Sequence, residues 1–560
     1  MTAHPAAIAA ATTEDSVGDL IAHALAEIGV TTVFGVISIH NMPILDAVAR
    51  QGRIRFIPAR GEAGAMNMAD AYARVSGTLG VVITSTGTAA GNAAGSQVEA
   101  LIAGSPVLHI TSQVDRVFMD RDQGAIHDAP RQFEMLKAIS KACFRVWEGR
   151  SAVGMLLAAA RAALTPPSGP VSLEIPVDVQ RERSGRPDPI RLGPIAGPEP
   201  DPALLDSLAA RLKAARRPLL WLGGGARGAE EPARALADRG IGIVTSTNGR
   251  AVVPEDHPAS LGAFNMTPEA QAIYDRADLM IVVGSRLRGN ETRNNRMRLP
   301  PIVQIDADGA QAARNYPVEA FIAGDAARAL AGLARRLPER LDTDAQFLAA
   351  IGGARAKSEA ALRDSLGPYA AVAEAMRRRV HDGRLPFVRD ITVSNSTFGN
   401  RYVTLAEPRL GVHALGGGIG QGVAMAIGAA LAGTGRKTVA LVGDGGTMVN
   451  LGELATAVEA QADIVFVLMN DRGYGVIRNI QDAQYGSRHH YVDLHTPDFA
   501  GLAAAIGFGH RRVAAAADFA PAFDEAMAAP GPQMVEVDMT AIGPFRQAFA
   551  GPPAGAAGTA

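Results

Sequence analysis

Residues 442–475 read VGDGGTMVNLGELATAVEAQADIVFVLMNDRGYG. The apolar run Val439-Ala440-Leu441-Val442 enters this stretch and stops at Gly443-Asp444-Gly445-Gly446. A helical pattern follows over Asn450–Ala457, and a second apolar run, Ile464–Met469, ends in Asn470-Asp471-Arg472-Gly473-Tyr474-Gly475. Continuous apolar runs separated by a helix predict neighbouring parallel strands buried on both faces, with ligands at their carboxyl ends. Glycines at 443, 445 and 446 would let a phosphate approach the backbone, and a helix start offers free N–H donors. Asp444 and Asp471 could then share one Mg²⁺, with the Gly473 carbonyl, phosphate oxygens and a water completing an octahedron of hard ligands.

The same alternation extends outward through the chain. Thr32–Gly35, Gly80–Thr84, Pro106–Ile110 and Val171–Ile175 are short apolar runs with alanine-rich helical patterns between them. The fold class is therefore α/β, with three doubly wound parallel-sheet domains at roughly 10–185, 200–337 and 370–545. A proline-rich linker spans 186–200, and a charged helical segment bridges Pro338 to Pro368. Residues 546–560 have the composition of a flexible tail. No short-period repeat is present, although the first and third units could be copies of one architecture.

The 560 residues are 48% hydrophobic and 20% charged, with a formal net charge of −2. That balance predicts a globular protein and gives no broad attraction to nucleic acid or anionic membranes. The single Cys143 excludes an internal disulfide framework and reads as a core residue in a reducing compartment. The N-terminal stretch has no basic segment before its alanine run, and no window is long and apolar enough to span a bilayer. A cytoplasmic protein is expected.

The 442–475 stretch resembles the Gly-Asp-Gly to Asn-Asn/Asp motif of thiamine-diphosphate enzymes, in particular the acetolactate synthase and 2-oxo acid decarboxylase family. The resemblance implies Asp444, Asp471 and the Gly473 carbonyl as metal ligands. It implies Gly443, Gly445, Gly446, Asn470, Tyr474, Gly475 and Val476 as cofactor contacts. Ser396 and Thr397 resemble diphosphate-binding residues. Asp in place of the commoner Asn at 471 is a permitted variant. In the first unit, Arg60-Gly61-Glu62-Ala63-Gly64-Ala65 followed by Ala69-Asp70-Ala71-Tyr72-Ala73-Arg74 resembles the segment that carries the activating glutamate. Glu62 would hydrogen-bond N1′ of the pyrimidine and favour the tautomer whose N4′ removes the C2 proton; the cofactor carries the covalent chemistry. In Ala414–Gly420, Ile419 would wedge beneath the folded cofactor, and the Gly417 carbonyl would accept from N4′.

The resemblance places Gly35–Asn41, Thr84–Asn92 and Ser112-Gln113 around the thiazolium, with Ile39, His40, Ser85, Thr86 and Ile477 lining a largely apolar pocket. Ser85 stands where benzoylformate decarboxylase carries a catalytic histidine. His127 lies in the loop where pyruvate decarboxylases carry two, and with Gln113 it is the candidate polar catalytic group. His489-His490 lies beyond the pocket helix. One histidine where the decarboxylases use a set, together with overall similarity to acetolactate synthases, predicts carboligation of a small 2-oxo acid. A simple decarboxylase and an FAD-dependent oxidase are the alternatives. The family also implies a homodimer or homotetramer with its sites between subunits.

The central unit holds Gly223-Gly224-Gly225-Ala226-Arg227-Gly228 after the run Pro218–Leu222, a match to G-x-G-x-x-G. The next strand ends without the acidic residue a nicotinamide dinucleotide site requires. In the family this domain carries FAD in some members and nothing in others. Val282–Arg288 and Ile305–Asp308 would line an FAD site, and the expectation is that it is empty.

Overall fold

The computed structural model describes residues 14–548. Most of the stretch read for a targeting signal, and all but the first residues of the tail, lie outside them. Three parallel sheets carry most of the chain, and their central strands are the buried apolar runs. The first sheet runs in the order Arg55–Pro58, Thr32–Gly35, Gly80–Thr84, Val107–Gln113, Val171–Pro176, Ala142–Arg145. The third runs Gly411–His413, Phe387–Arg389, Thr438–Gly443, Ile464–Asn470, Gln533–Asp538, Gly509–Val513. Numbered within its own unit, each is wound 2-1-3-4-6-5. The first and third units thus share one architecture without any residue-level repeat. The central sheet has five strands, wound 2-1-3-4-5. In all three the chain reverses direction between strands 1 and 3, which opens a crevice at their carboxyl ends.

The first and third units meet along two helices. Glu62–Ser76 is buried almost along its whole length and packs on Gly422–Ala430, so that Met66, Met68 and Ala69 share a core with Val423, Met425 and Ile427. Gly428 is the contact point, where a Cβ would be driven into the Met68 carbonyl. Backbone there cannot yield as a side chain would. Gly428→Ala is expected to destabilise the protein by roughly 1–3 kcal/mol, the usual range for overpacking, seen as a lower denaturation midpoint.

The segment between Pro338 and Pro368 forms the helix Ala345–Ser365, capped by Asp344, whose carboxylate accepts from Gln346 N at 2.9 Å. Phe347 and Ile351 on it pack with Leu219, Trp221 and Tyr274 of the central unit. Among the described residues no helix is long and apolar enough to cross a membrane. Cys143 is half-buried in an edge strand, and burial pushes its thiol up to about 12, which suits a packed residue rather than a nucleophile.

The glycines of the central unit have a packing reason. A side chain on Gly223 or Gly225 would strike the backbone of Gly284, because the loops after strands Pro218–Leu222 and Leu279–Val283 touch there. Arg227 fills the space beside them, donating to Asn248 O at 3.0 Å. The G-x-G-x-x-G pattern is therefore accounted for by loop-on-loop contact.

Candidate active site

At the carboxyl edge of the third sheet, strand Thr438–Gly443 leads straight into a short helix, Asp444–Val449, and the helix Glu453–Glu459 follows after a break. The helical pattern expected from Asn450 thus begins six residues earlier, with Gly445 and Gly446 in its first turn. Asp444 is fully buried, and neither carboxylate oxygen has a hydrogen-bond partner. Asp471, at the end of the neighbouring strand, lies beside it. Both carboxyls are held above the usual carboxylate range, by burial first and, for Asp471, also by the charge of Asp444. A buried carboxylate with both oxygens orphaned, beside a partly buried one that also faces Arg478 at 3.8 Å, suits a divalent cation. No three of His, Cys, Asp and Glu form a metal cage of their own among the described residues. The remaining ligands of such an ion would be backbone, water and phosphate oxygens.

The cradle around this pair is tight. A Cβ on Gly445 would meet the Tyr474 ring at 2.9 Å, and one on Gly446 would lie 3.5 Å from Ile419 Cγ1. Gly475 backs onto Asp471 and Val393, and Gly473 is buried against Val492. Ile419 itself is 39% exposed, projecting beside Gly446. Gly417, just before it, has φ +81° and open space where a side chain would sit. Asn470 directs its side-chain amide to Glu536 Oε1 at 2.7 Å, so that group is taken. Val476 and Ile477 lie on the helix Gly475–Gln484, none of whose residues is buried in this chain.

Two features were not legible beforehand. Asp390 is buried with its pKa pushed up to about 6, by burial first, and it accepts from Ile391 N and Gly420 N at 2.7 and 3.1 Å. It lies within van der Waals reach of Gly422 and Gly446 and so ties the glycine loop to the start of the helix Asp444–Val449. The second is Ser394, whose buried hydroxyl has no partner, as has that of Thr447. The segment carrying Ser394 lines the same cradle, with Thr392 against Gly443 and Val393 against Gly475. The expected pair behaves differently. Thr397 donates to the carbonyls of Val393 and Ser394 at 3.0 Å, and Ser396 lines a cavity of about 500 Å³ shared with Arg250, Arg401 and His413.

The first sheet presents the other half. Glu62 opens the helix Glu62–Ser76 and accepts from Asn92 Nδ2 at 3.1 Å. Asn92 lies on the helix Thr88–Ala103, whose N-cap, Gly87, has φ +62° and abuts the His127 carbonyl. Ser38 Oγ donates to Ser85 Oγ at 2.8 Å, joining the loops after strands 1 and 3. His127 is exposed, but His40 is buried beneath it, with ring centroids 5.2 Å apart. His127 is the one histidine of its own loop, and His40, expected in the pocket, meets it from the loop after Thr32–Gly35. His40 Nδ1 has no partner, and burial, then the neighbouring His127, holds the ring below the usual imidazole range. Gln113 is buried, its carbonyl oxygen accepting from Thr86 Oγ1 at 2.8 Å and from Val114 N at 2.9 Å. Ile39 is 54% and Ile477 46% exposed. His489 pairs on the surface with Asp482 at 2.7 Å.

Comparison with known proteins agrees with this geometry. Residues 15–135 match the family model "Thiamine pyrophosphate enzyme, N-terminal TPP binding domain", 205–333 the central domain and 392–537 the C-terminal TPP binding domain. The chain is 30% identical over 505 residues to a Pseudomonas aeruginosa protein named "Probable 2-ketoarginine decarboxylase", covering 88% of this chain and 89% of the relative. It is 28% identical to the acetolactate synthase isozyme 1 large subunit of Escherichia coli (93% and 94% covered). With "Probable acetolactate synthase 2, chloroplastic" of Oryza sativa subsp. japonica the identity is 27% (93% and 82%). Three matched domains in order, with a helix-opening glutamate at the edge of the first sheet and a carboxylate pair at the edge of the third, place this enzyme in the thiamine pyrophosphate enzyme family.

Proposed function

We propose that this enzyme is a Mg²⁺-dependent decarboxylase of a small 2-oxo acid that releases the aldehyde. The observation that carries the choice of decarboxylation over carboligation is the His40–His127 pair. Thiamine diphosphate, when bound, supplies the electron sink for loss of CO₂. Asp444, Asp471 and the Gly473 carbonyl would hold the metal, and Ser394 and Thr447 have free hydroxyls for phosphate oxygens. Glu62 would hold a proton at its carboxylate against the pyrimidine, and Ile419 would support the ring fold. His127 is exposed, while burial favours the neutral form of His40 beneath it, with Nδ1 free. The pair can therefore deliver a proton to the carbon that has lost CO₂, the step that ends in aldehyde instead of carbon–carbon bond formation.

In this reading the enzyme works in the cytoplasm as a homodimer or homotetramer. Its first domain faces the third domain of a second copy. Support comes from apolar side chains left exposed near both crevices, Ile37, Ile39, Met42 and Ile126 on one side and Ile419 and Ile477 on the other. The test is to supply thiamine diphosphate, Mg²⁺ and a panel of 2-oxo acids and to follow CO₂ with product identity. Free aldehyde is expected, and acyloin or acetohydroxy acid as the main product would return the carboligase reading. His127→Ala is expected to lower aldehyde formation on the order of 100-fold. An unchanged aldehyde yield in that variant would remove the pair from the mechanism.

A further inference from the structure

We infer that Glu99 and Glu453 are positioning residues. Each reaches out of its own domain and fixes, through two backbone N–H groups, the loop of the other domain that precedes a cofactor contact. The inference rests on the proposed function.

Glu453 is buried at the start of the helix Glu453–Glu459 in the third domain. Its Oε1 accepts from Arg60 N and Gly61 N, both at 3.1 Å, and its Oε2 from Thr456 Oγ1 at 2.7 Å. Gly61 is the residue before Glu62 and the N-cap of the helix, with no side chain to contribute. Gly64 on that helix has no room for a Cβ against the Glu453 carboxyl carbon, 2.5 Å away. The loop presenting Glu62 is thus held by a carboxylate from the other domain.

Glu99 does the converse. Buried on the helix Thr88–Ala103 of the first domain, it accepts from Leu415 N at 2.8 Å and from Gly416 N at 2.6 Å. Gly416 precedes Gly417, whose carbonyl is the proposed N4′ acceptor. The charge of Glu99 is matched by Arg74 at 2.9 Å, which also pairs with Asp70 and donates to His413 O at 2.7 Å. All three ionic side chains are buried. Apolar packing could join two domains without desolvating charges. Two directional bonds per loop do what packing cannot: they set the position of main-chain atoms to the tolerance a cofactor contact needs.

The test reads cofactor geometry without turnover. Glu99→Gln leaves one N–H facing an amide donor, and Glu453→Gln replaces the charged oxygen that two N–H groups share with a weaker, neutral acceptor. Both are prepared beside Arg55→Gln, which breaks a different bond between the same domains, Arg55 to Ala460 O at 2.7 Å. Thiamine diphosphate affinity with Mg²⁺ is measured by calorimetry, and exchange of the bound cofactor's C2 proton into D₂O by quenched NMR. Both glutamine variants are expected to slow exchange on the order of 100-fold, while Arg55→Gln exchanges at the native rate. Folded glutamine variants that exchange at the native rate would overturn the inference. So would failure of both to fold, or an equal slowing in Arg55→Gln, because the bonds would then be serving stability alone. A native protein that does not bind the cofactor would overturn the reading beneath it instead.

Discussion

Glu62→Gln is expected to fold and to bind thiamine diphosphate, yet to release CO₂ from a 2-oxo acid about 10²–10⁴-fold more slowly than the native protein, the range associated with losing a proton-transfer group. The substitution is nearly isosteric. Glu62 is half-buried at the first position of its helix, and its one bond to a side chain is received from Asn92, which a glutamine carbonyl can also accept. Gly61 and Arg60 stay fixed by Glu453, so the loop does not depend on the charge at 62. What changes is the capacity to hold a proton against the pyrimidine nitrogen. The loss should therefore appear in kcat and in cofactor C2 exchange, with the KM for the 2-oxo acid changing little. A variant within tenfold of native kcat would remove Glu62 from the chemistry and, with it, the argument that the first-domain crevice is half of the site. Glu62→Ala is the weaker test, since it also abandons Asn92.

How much of this was legible in the residues depended on how far the parts lie from one another in the chain. The strands could be read because a parallel strand covered on both faces must be a continuous apolar run, and Pro218–Leu222 and Ile464–Asn470 are such runs. Asp444 and Asp471 could be paired because a single short helical crossover separates their strands, so topology alone brings their ends together. His40 and His127 could not be paired that way. They lie on loops far apart in sequence, His127 itself in a left-handed conformation, and local pattern carries no sign of that meeting. Ser394 was not legible beside Ser396 for a different reason. Ser394 sits just before the π-turn Asn395–Gly399 and carries no motif of its own, so only its buried, partnerless hydroxyl marks it out. Asp390, Glu99 and Glu453 resemble ordinary carboxylates until burial shows that they have traded water for backbone N–H groups.

Asp444→Asn carries the second large expectation, and its value is that activity and stability should move in opposite directions. Removing one carboxylate from the metal pair should weaken Mg²⁺-dependent cofactor binding and reduce turnover at least 10³-fold, since both metal and diphosphate lose their anchor. The same change should raise the melting temperature of the cofactor-free protein. In the native chain both Asp444 oxygens are buried without partners, and Asp471 is pushed up to about 7 beside it. An unfolded aspartate ionises near 4, so between about pH 7 and pH 4 the folded chain binds protons that the unfolded chain does not. Stability from this pair is therefore greatest at low pH and falls as pH rises through about 7. Asn abolishes the mutual repulsion, and cofactor-free Asp444→Asn should gain roughly 1–3 kcal/mol at pH 8 and lose most of the pair's contribution to the slope between pH 5 and pH 8. Mg²⁺ with thiamine diphosphate should flatten the native slope in the same way, by supplying the cation that the two carboxylates face. If cofactor-free Asp444→Asn melts lower than the native protein at pH 8, the pair is held together by something other than a missing ion, and the metal assignment falls with it.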